Sequence, residues 1–554
     1  MESAETYNNR FDQLSGVYRH LLSLHNNFDQ IYQKQKIELI EYKNQAHYWA
    51  AQFQQLKTRE NDLQNEVDDL KAQLRKREKQ LFGRKSEKES RKQDPKTGEV
   101  IEKKKRGQQP NNPSPDRREY ANLSEIEETV ELRVEDRYCP CCKLSYDELP
   151  GTEDSEVLEI INVQAHKRII RRKRYKRQCR CKSNPAPQII TVPPMERVFP
   201  KSKLGISIWA HVLIHKYEFQ TPLHRILANL SLHGLSLSMG TVTGGLRNLL
   251  PLLAPVYAGI AEHNVSAQHW HADETGWKVF EKIDGKNSAN WYLWIFHNKE
   301  SVVYKISPSR SSSVLIDYFG IEDEKGILNV DRFAAYKVIA KLGVFILAFC
   351  WAHVRRDFLE YAKGYPHKEV WALAWVEEIA KLYHINNIRI QLKPNSKQFN
   401  KSNTELKQQI DAMHKKMTQE LADSTLLPSM SKILKSLSAH WSGLTVFVDH
   451  PHIPMDNNTA ERGLRPSVVG RKNYYGSGSV WSAELTAIIF TILNTVKLWG
   501  INPHTWLLAY LYECAMLGGC APDDISRYLP WNMQEETLKM LSEPPRHEHS
   551  SDSS

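Results

Sequence analysis

Three short acidic segments hold the residues whose types and spacing could do chemistry: His269-Trp270-His271-Ala272-Asp273-Glu274, Leu328-Asn329-Val330-Asp331-Arg332-Phe333, and Met455-Asp456-Asn457-Asn458-Thr459-Ala460-Glu461-Arg462. Asp273 and Asp331 each end a short apolar, strand-like run, and Glu461 lies where the pattern that follows reads as helix. Carboxylate oxygens are hard ligands suited to magnesium or manganese. Two such ions roughly 3.5–4 Å apart stabilise both the attacking and the leaving oxygen of a phosphoryl transfer. The three acids therefore predict metal-dependent chemistry on a nucleic-acid backbone. Singly, each has a bland reading, because an Asp at a strand end ordinarily forms a turn or a cap and a helical Glu is ordinarily solvated. Three in one fold order point to a site. Glu274 and Asp456 adjoin two of the acids and replace them if the register slips; Asp456 reads as the N-cap of the Glu461 helix.

The elements that position these acids follow from the pattern. His269 to Phe280, Asn290 to His297 and Ser301 to Ser309 are rich in Trp, Tyr, Val and Ile and are separated by turn signals such as Asp284-Gly285, which predicts an antiparallel meander. A helix over Ser312 to Phe319, a strand over Gly326 to Val330, a helix over Ala334 to Leu342 and a buried strand over Val344 to Cys350 complete the order β-β-β-α-β-α-β, which is ribonuclease-H-like. The stretch from Asp331 to Glu461 is too long for one crossover, and Lys368 to Ser438 reads as an inserted set of helices.

Upstream, Ile31 to Leu81 lacks Pro and Gly. Its apolar series Phe53, Val67, Leu74, Leu81 and Leu56, Leu63, Leu70 are heptad positions broken only at Glu60 and Arg77, which predicts a coiled coil and a homo-oligomer. Positive charge is concentrated rather than spread. Gly83 to Arg118 holds twelve Lys/Arg against six Asp/Glu, and Lys167 to Arg177, including Arg171, Arg172, Lys173 and Arg174, holds eight with no acid. Such runs displace counterions from phosphate backbones and point to nucleic acid. Cys139, Cys142, Cys179 and Cys181 supply four thiolates for a structural, tetrahedral zinc, with Cys141 as a competing ligand. Pro222 to Ser231, a turn at His233-Gly234-Leu235 and Ser236 to Leu249 form a helix-turn-helix pattern, with Ser238 as cap and Thr241, Thr243 and Arg247 near its exposed side. No apolar run reaches the ~18–20 residues of a membrane span, and Met1 to Gln13 is polar, so a cytoplasmic protein is expected.

The acidic segments, together with Leu81-Phe82-Gly83-Arg84-Lys85-Ser86-Glu87-Lys88, Cys350-Trp351-Ala352-His353-Val354-Arg355-Arg356 and Asp456 to Pro466 followed by Gly470-Arg471-Lys472-Asn473, resemble the transposases of the insertion-sequence-66 family with their Asp-Asp-Glu core. These strings run in the family's order to about residue 530. The pair Cys179-Arg-Cys181 departs from the C-x-x-C common in that family. The resemblance implies a bacterial, nucleoid-associated DNA transposase with Asp273, Asp331 and Glu461 as ligands of two magnesium or manganese ions. It implies that His353 orients a phosphate or a water, and that Arg355, Arg356, Arg462, Arg465, Arg471 and Lys472 meet phosphates. Water attack at an element's end would be followed by 3′-OH attack on target DNA, with terminal inverted repeats and target as DNA partners and accessory transposition proteins as further ones. A catalytically silent DNA-binding derivative and a nuclease that cuts without joining stay open at this point. The expected architecture is multidomain α+β: coiled coil over 1–82, basic linker over 83–120, zinc module over 121–195, helix-turn-helix-like region over 196–262, ribonuclease-H-like catalytic domain over 263–500 with a helical insertion about 360–445, and a C-terminal helical region over 501–545.

Overall fold

Helix-favouring composition without proline carries the first element much further upstream than the heptads alone suggest. In the computed structural model, which describes residues 4–82, 174–176, 189–191, 197–200, 202–286, 288–321 and 326–543, α1 (Ala4–Phe82) is one uninterrupted helix. Its heptad stripe is open, with Leu63 53%, Leu70 57% and Leu74 61% exposed. The linker, the cysteines proposed for zinc and Arg171, Arg172 and Lys173 lie outside the described residues. Of the basic run, Arg174 to Lys176 forms β1, paired antiparallel with β2 (Ile189–Thr191).

Next come α2 (Ile206–Leu213), a π turn over Ile214–Glu218, α3 (Leu223–Leu232) and α4 (Met239–Val265). Gly234 turns the chain between α3 and α4 at φ 81°, a left-handed value that glycine adopts without strain. The hydroxyl of Ser238 caps α4 by accepting the Thr241 N–H at 3.1 Å, as its position in the sequence predicts. α4 does not stop near Leu249. It continues through Pro251 and Pro255 because its buried stripe of Leu249, Leu253, Val256 and Ile260 keeps packing against the core. At Gly245 α4 touches α2, and a Cβ there would lie 1.9 Å from Cη2 of Trp209.

The sheet contains β3 (His269–Lys278), β4 (Asn290–His297), β5 (Val302–Ser307), β6 (Gly326–Val330) and β7 (Phe345–Phe349), with α5 (Ser313–Phe319) before β6 and α6 (Ala334–Lys341) after it. Their spatial order is β5-β4-β3-β6-β7. The first three strands are antiparallel, and β6 lies parallel to both β3 and β7. This is the element order read from the pattern. Edge strand β5 is covered rather than exposed. Thr491 and Thr495 accept the Tyr304 and Val302 N–H groups at 2.8 and 3.1 Å, which satisfies backbone donors that an open edge leaves unpaired.

After β7 come α7 (Trp351–Gly364), α8 (Glu369–Gln391), α9 (Lys397–Ala422), α10 (Pro428–Ala439) and the short α11 (Trp441–Leu444) and α12 (Val446–Asp449). The chain then returns to the sheet with α13 (Asn458–Tyr474) and α14 (Val480–Leu498), and ends in α15 (Pro503–Met516) and α16 (Glu535–Ser542). Buried Arg389 of α8 ties the inserted helices together by donating to the carbonyls of Phe447 and Val448 at 2.6 and 2.9 Å. One apolar cluster runs from α2 and α4 across the sheet to α14 and α15. Tyr510 of α15 also donates to Leu252 O of α4 at 2.5 Å. The limits drawn at residues 262 and 500 therefore do not separate cores. Among the described residues no single helix is long and apolar enough to cross a membrane.

Candidate active site

Successive side chains of a strand point to opposite faces, and this decides between neighbouring acids on β3. Trp270 packs against Phe319 and Phe345 on the α5 side. Glu274, in the same alternation, is held there by Arg310 at 2.6 Å and by the Tyr336 hydroxyl at 2.6 Å. His269, His271 and Asp273 take the other face. The strand predicted over His269 to Phe280 runs to Lys278, past Asp273, because β4 keeps pairing with it. What ends is the parallel pairing, whose last partners are His271 and Asn329. Asp273 stands two residues beyond one of these and Asp331 two beyond the other, so the acids leave adjacent strands at one level. Asp331 Oδ1 accepts the Phe333 N–H at 2.8 Å, which holds the turn after β6.

The segment before α13 is bonded across the ends of all three strands. Asn329 donates to Pro454 O at 2.9 Å, and Trp351 N–H donates to Met455 O at 2.9 Å. Asn457, 1% exposed, donates through Nδ2 to Ala272 O at 2.7 Å, accepts the His271 Nδ1–H at 3.0 Å and gives its backbone N–H to Cys350 Sγ at 3.2 Å. This corrects the cap expected at Asp456. Asn457 is the N-cap residue, its side chain is engaged with β3 instead of the helix, and Asp456 only accepts the Asn458 N–H at 3.1 Å. Asn457 does not stand out in the sequence except as part of the polar run Asp456-Asn457-Asn458. α13 comes close to the sheet because Gly463 has no side chain. A Cβ there would meet Ile295 Cδ1 at 2.4 Å, and Tyr304 donates to Gly463 O at 2.7 Å. That approach puts Glu461 beside the strand ends.

Burial first, and then the charges of Glu274, Asp331 and Glu461, push Asp273 up to about 7 against the Glu274 N–H bond that pulls it down. On the same face, burial lowers His271 to about 3 and His297 to about 4, so both are neutral. His353, in the first turn of α7, brings Nε2 to 3.5 Å from Glu461 Oε1. Its pKa is lowered by burial and by Arg356, against the pull of Glu461 and Asp331. Cys350 Sγ, a nitrogen of His353 and an oxygen of Glu461 all lie within 4.8 Å of one another.

The cationic residues divide. Arg462, Arg465 and Lys472 are exposed along α13, and Arg355 and Arg356 are half-buried on α7. Arg471 is committed within the protein, its guanidinium donating to Gly276 O and, at 3.3 Å, to the Thr275 hydroxyl. It braces α13 against β3. In the helix-turn-helix region, Thr241 and Arg247 of α4 are exposed and Thr243 is half-buried.

The chain belongs to the transposase IS66 family, whose model matches residues 201–485. It is thus, in general terms, a DNA-transposition enzyme that binds DNA, and the match spans the helices from α2, the whole sheet and α13. Similar proteins include the uncharacterized protein y4jD of Sinorhizobium fredii, 27% identical over 432 residues that make up 74% of this chain and 80% of that one. The uncharacterized protein y4hP of the same organism is 26% identical over 404 residues, 68% of this chain and 70% of its own.

Proposed function

We propose that this transposase cuts DNA at the ends of its insertion sequence and joins the freed 3′-OH ends to target DNA, in a ribonuclease-H-like catalytic domain where Asp273, Asp331 and Glu461 hold two magnesium or manganese ions. The observation that carries the reading is the alignment of Asp273 and Asp331 two residues beyond the last parallel partners of β3 and β6, with the segment that starts the Glu461 helix bonded to β3 through Asn457. The donor set fits hard divalent cations. Asp273 is raised to about 7, by burial first and then by the charges of Glu274, Asp331 and Glu461, and Glu461 Oε1 is a buried oxygen without a hydrogen-bond partner. Such ions, when bound, lower the pKa of a nucleophilic water or hydroxyl and offset charge on the leaving oxygen.

The chain's own residues do the rest. His353, kept neutral by burial, holds a proton on one ring nitrogen and presents a lone pair on the other, so it orients a water or a phosphate beside Glu461. Arg355, Arg356, Arg462, Arg465 and Lys472 meet backbone phosphates, the arginines as planar donors. Arg171 to Arg174 and the N-terminal part of α4 grip duplex DNA. Cys139, Cys142, Cys179 and Cys181 close a structural zinc module. The α1 stripe pairs two chains, each holding one element end.

Asp331→Asn tests the reading. The change deletes a ligand at nearly constant shape, so cleavage of end-containing DNA and joining of pre-cut ends should both fall by roughly 10²–10³ or more, the scale for losing one electrostatic stabiliser. Binding of end DNA in a gel-shift assay should be unchanged. Retained cleavage, or binding lost in proportion, would show Asp331 to be structural.

A further inference from the structure

We propose that Cys350, His353 and Glu461 form a site for one thiophilic divalent cation, zinc by its donor set, which withdraws Glu461 from the catalytic carboxylates and silences the enzyme. The start of α7 and the first turn of α13 supply the ligands. Cys350 ends the β7 connection, His353 follows three residues later on the first turn of α7, and Glu461 comes from α13; one ligand atom from each lies within 4.8 Å of the others. Positions i and i+3 at a helix start share a face, so the sulfur and the imidazole point the same way.

His353 Nδ1 and Glu461 Oε1 are buried without hydrogen-bond partners. The Asn457 N–H donates to Cys350 Sγ from 3.2 Å and holds the sulfur in place, while burial pushes the thiol's pKa up. A sulfur, a nitrogen and an oxygen suit zinc or cobalt(II) in tetrahedral geometry, whereas magnesium takes oxygens and keeps several waters. Binding forms the metal–sulfur bond and releases the thiol proton to solvent. Glu461 cannot then serve the hard ions, so the enzyme stops while the thiophilic ion stays.

The binding claim stands on the three side chains alone; the inhibition claim rests on Glu461 being a ligand in the proposed reaction. Full-length protein reconstituted with cobalt(II) tests the first without DNA or turnover. The wild type should bind one more cobalt per chain than Cys350→Ser, with extra sulfur-to-cobalt charge-transfer and tetrahedral d–d absorption. Magnesium in roughly hundredfold excess should not remove that signal. Equal stoichiometry and spectra in the two proteins would overturn the site. His353→Gln, read by the same cobalt count, decides the matter if Cys350→Ser does not fold. For the second claim, zinc equimolar with this site should lower magnesium-supported strand cleavage about tenfold or more in the wild type and about twofold or less in Cys350→Ser, each relative to its own zinc-free rate. Cobalt bound without zinc inhibition would overturn the inhibition and leave the site. Failure of the Asp331→Asn test would overturn the reaction and leave the cobalt result intact.

Discussion

Asn457 fixes the site without carrying charge. Its side chain holds Ala272 O and His271 in a buried setting, one residue before Asp273 and four before Glu461. Asn457→Ala leaves a carbonyl and an imidazole N–H unpaired, at about 1–3 kcal/mol for each buried group. We expect a loss of about 2–4 kcal/mol in chemical denaturation. The cleavage rate at saturating DNA should fall while affinity for end DNA is kept. A proportional loss of affinity would place Asn457 at the DNA surface instead. Asp273 gives a second residue-scale prediction. Held at about 7 in the fold and near 4 when unfolded, it keeps a proton in the folded chain that the unfolded chain has released between those values. Its contribution to stability is therefore full below about pH 4 and declines as the pH rises to about 7. Without added divalent cation, Asp273→Asn should flatten the stability-against-pH curve over that window, and magnesium should flatten it in the wild type. Equal slopes in the two proteins would contradict the raised value. The strands and the helix that carry the three acids were legible because their signals follow one fold order. Asn457 and Asp456 could not be told apart, since either side chain can cap a helix and only the tertiary bond to β3 separates them.

At the scale of elements, strands were read well because the runs of Trp, Tyr, Val and Ile are bounded by turn residues. The far end of α4 was not. Pro251 and Pro255 remove helix N–H donors and ordinarily mark an end, yet packing of the buried stripe carries α4 to Val265. Arg310 likewise gave no sign of its role, because its partner Glu274 is brought to it only by the fold. Removing it in Arg310→Ala leaves the Glu274 carboxylate, whose side chain is 1% exposed, with Tyr336 alone. The expected loss is about 2–3 kcal/mol, below the 3–5 of a fully buried pair because Arg310 is 45% exposed. The α2–α4 contact is less forgiving than its small residue suggests. Gly245→Ala drives a methyl into the Trp209 ring, and overpacking of this kind costs about 1–3 kcal/mol. Denaturation midpoints should show that loss, and Trp209→Leu should recover part of it. An unchanged midpoint for Gly245→Ala would mean that the helices separate freely.

For the whole molecule, the decisive arrangement is the way α1 meets the rest of the chain. Tyr365 donates to Asp69, Arg75 donates to Gly364 O, and Ala72 lies over Gly364. These three α1 residues are spaced by three, off the heptad series of Val67, Leu70 and Leu74. The helix is thus held by its polar back, at the end of α7 remote from His353, while its apolar stripe stays exposed. A chain lacking Met1 to Leu81 should keep its sheet and its salt-sensitive DNA affinity but scatter light as a smaller particle, and it should join paired ends far less than it nicks single ones. The same number of chains per particle with and without the segment would mean that α1 does not pair chains. The heptads showed the stripe; its freedom became visible only once the docking side was known.

That freedom makes output a matter of dosage. With the proposed pairing of two chains through this stripe, the amount of paired protein should grow with the square of expression while chains are scarce. A single newly inserted copy of the element, making few chains, would stay almost silent, and doubling its expression should raise transposition about fourfold. Reporter counts across a graded promoter would read that exponent directly.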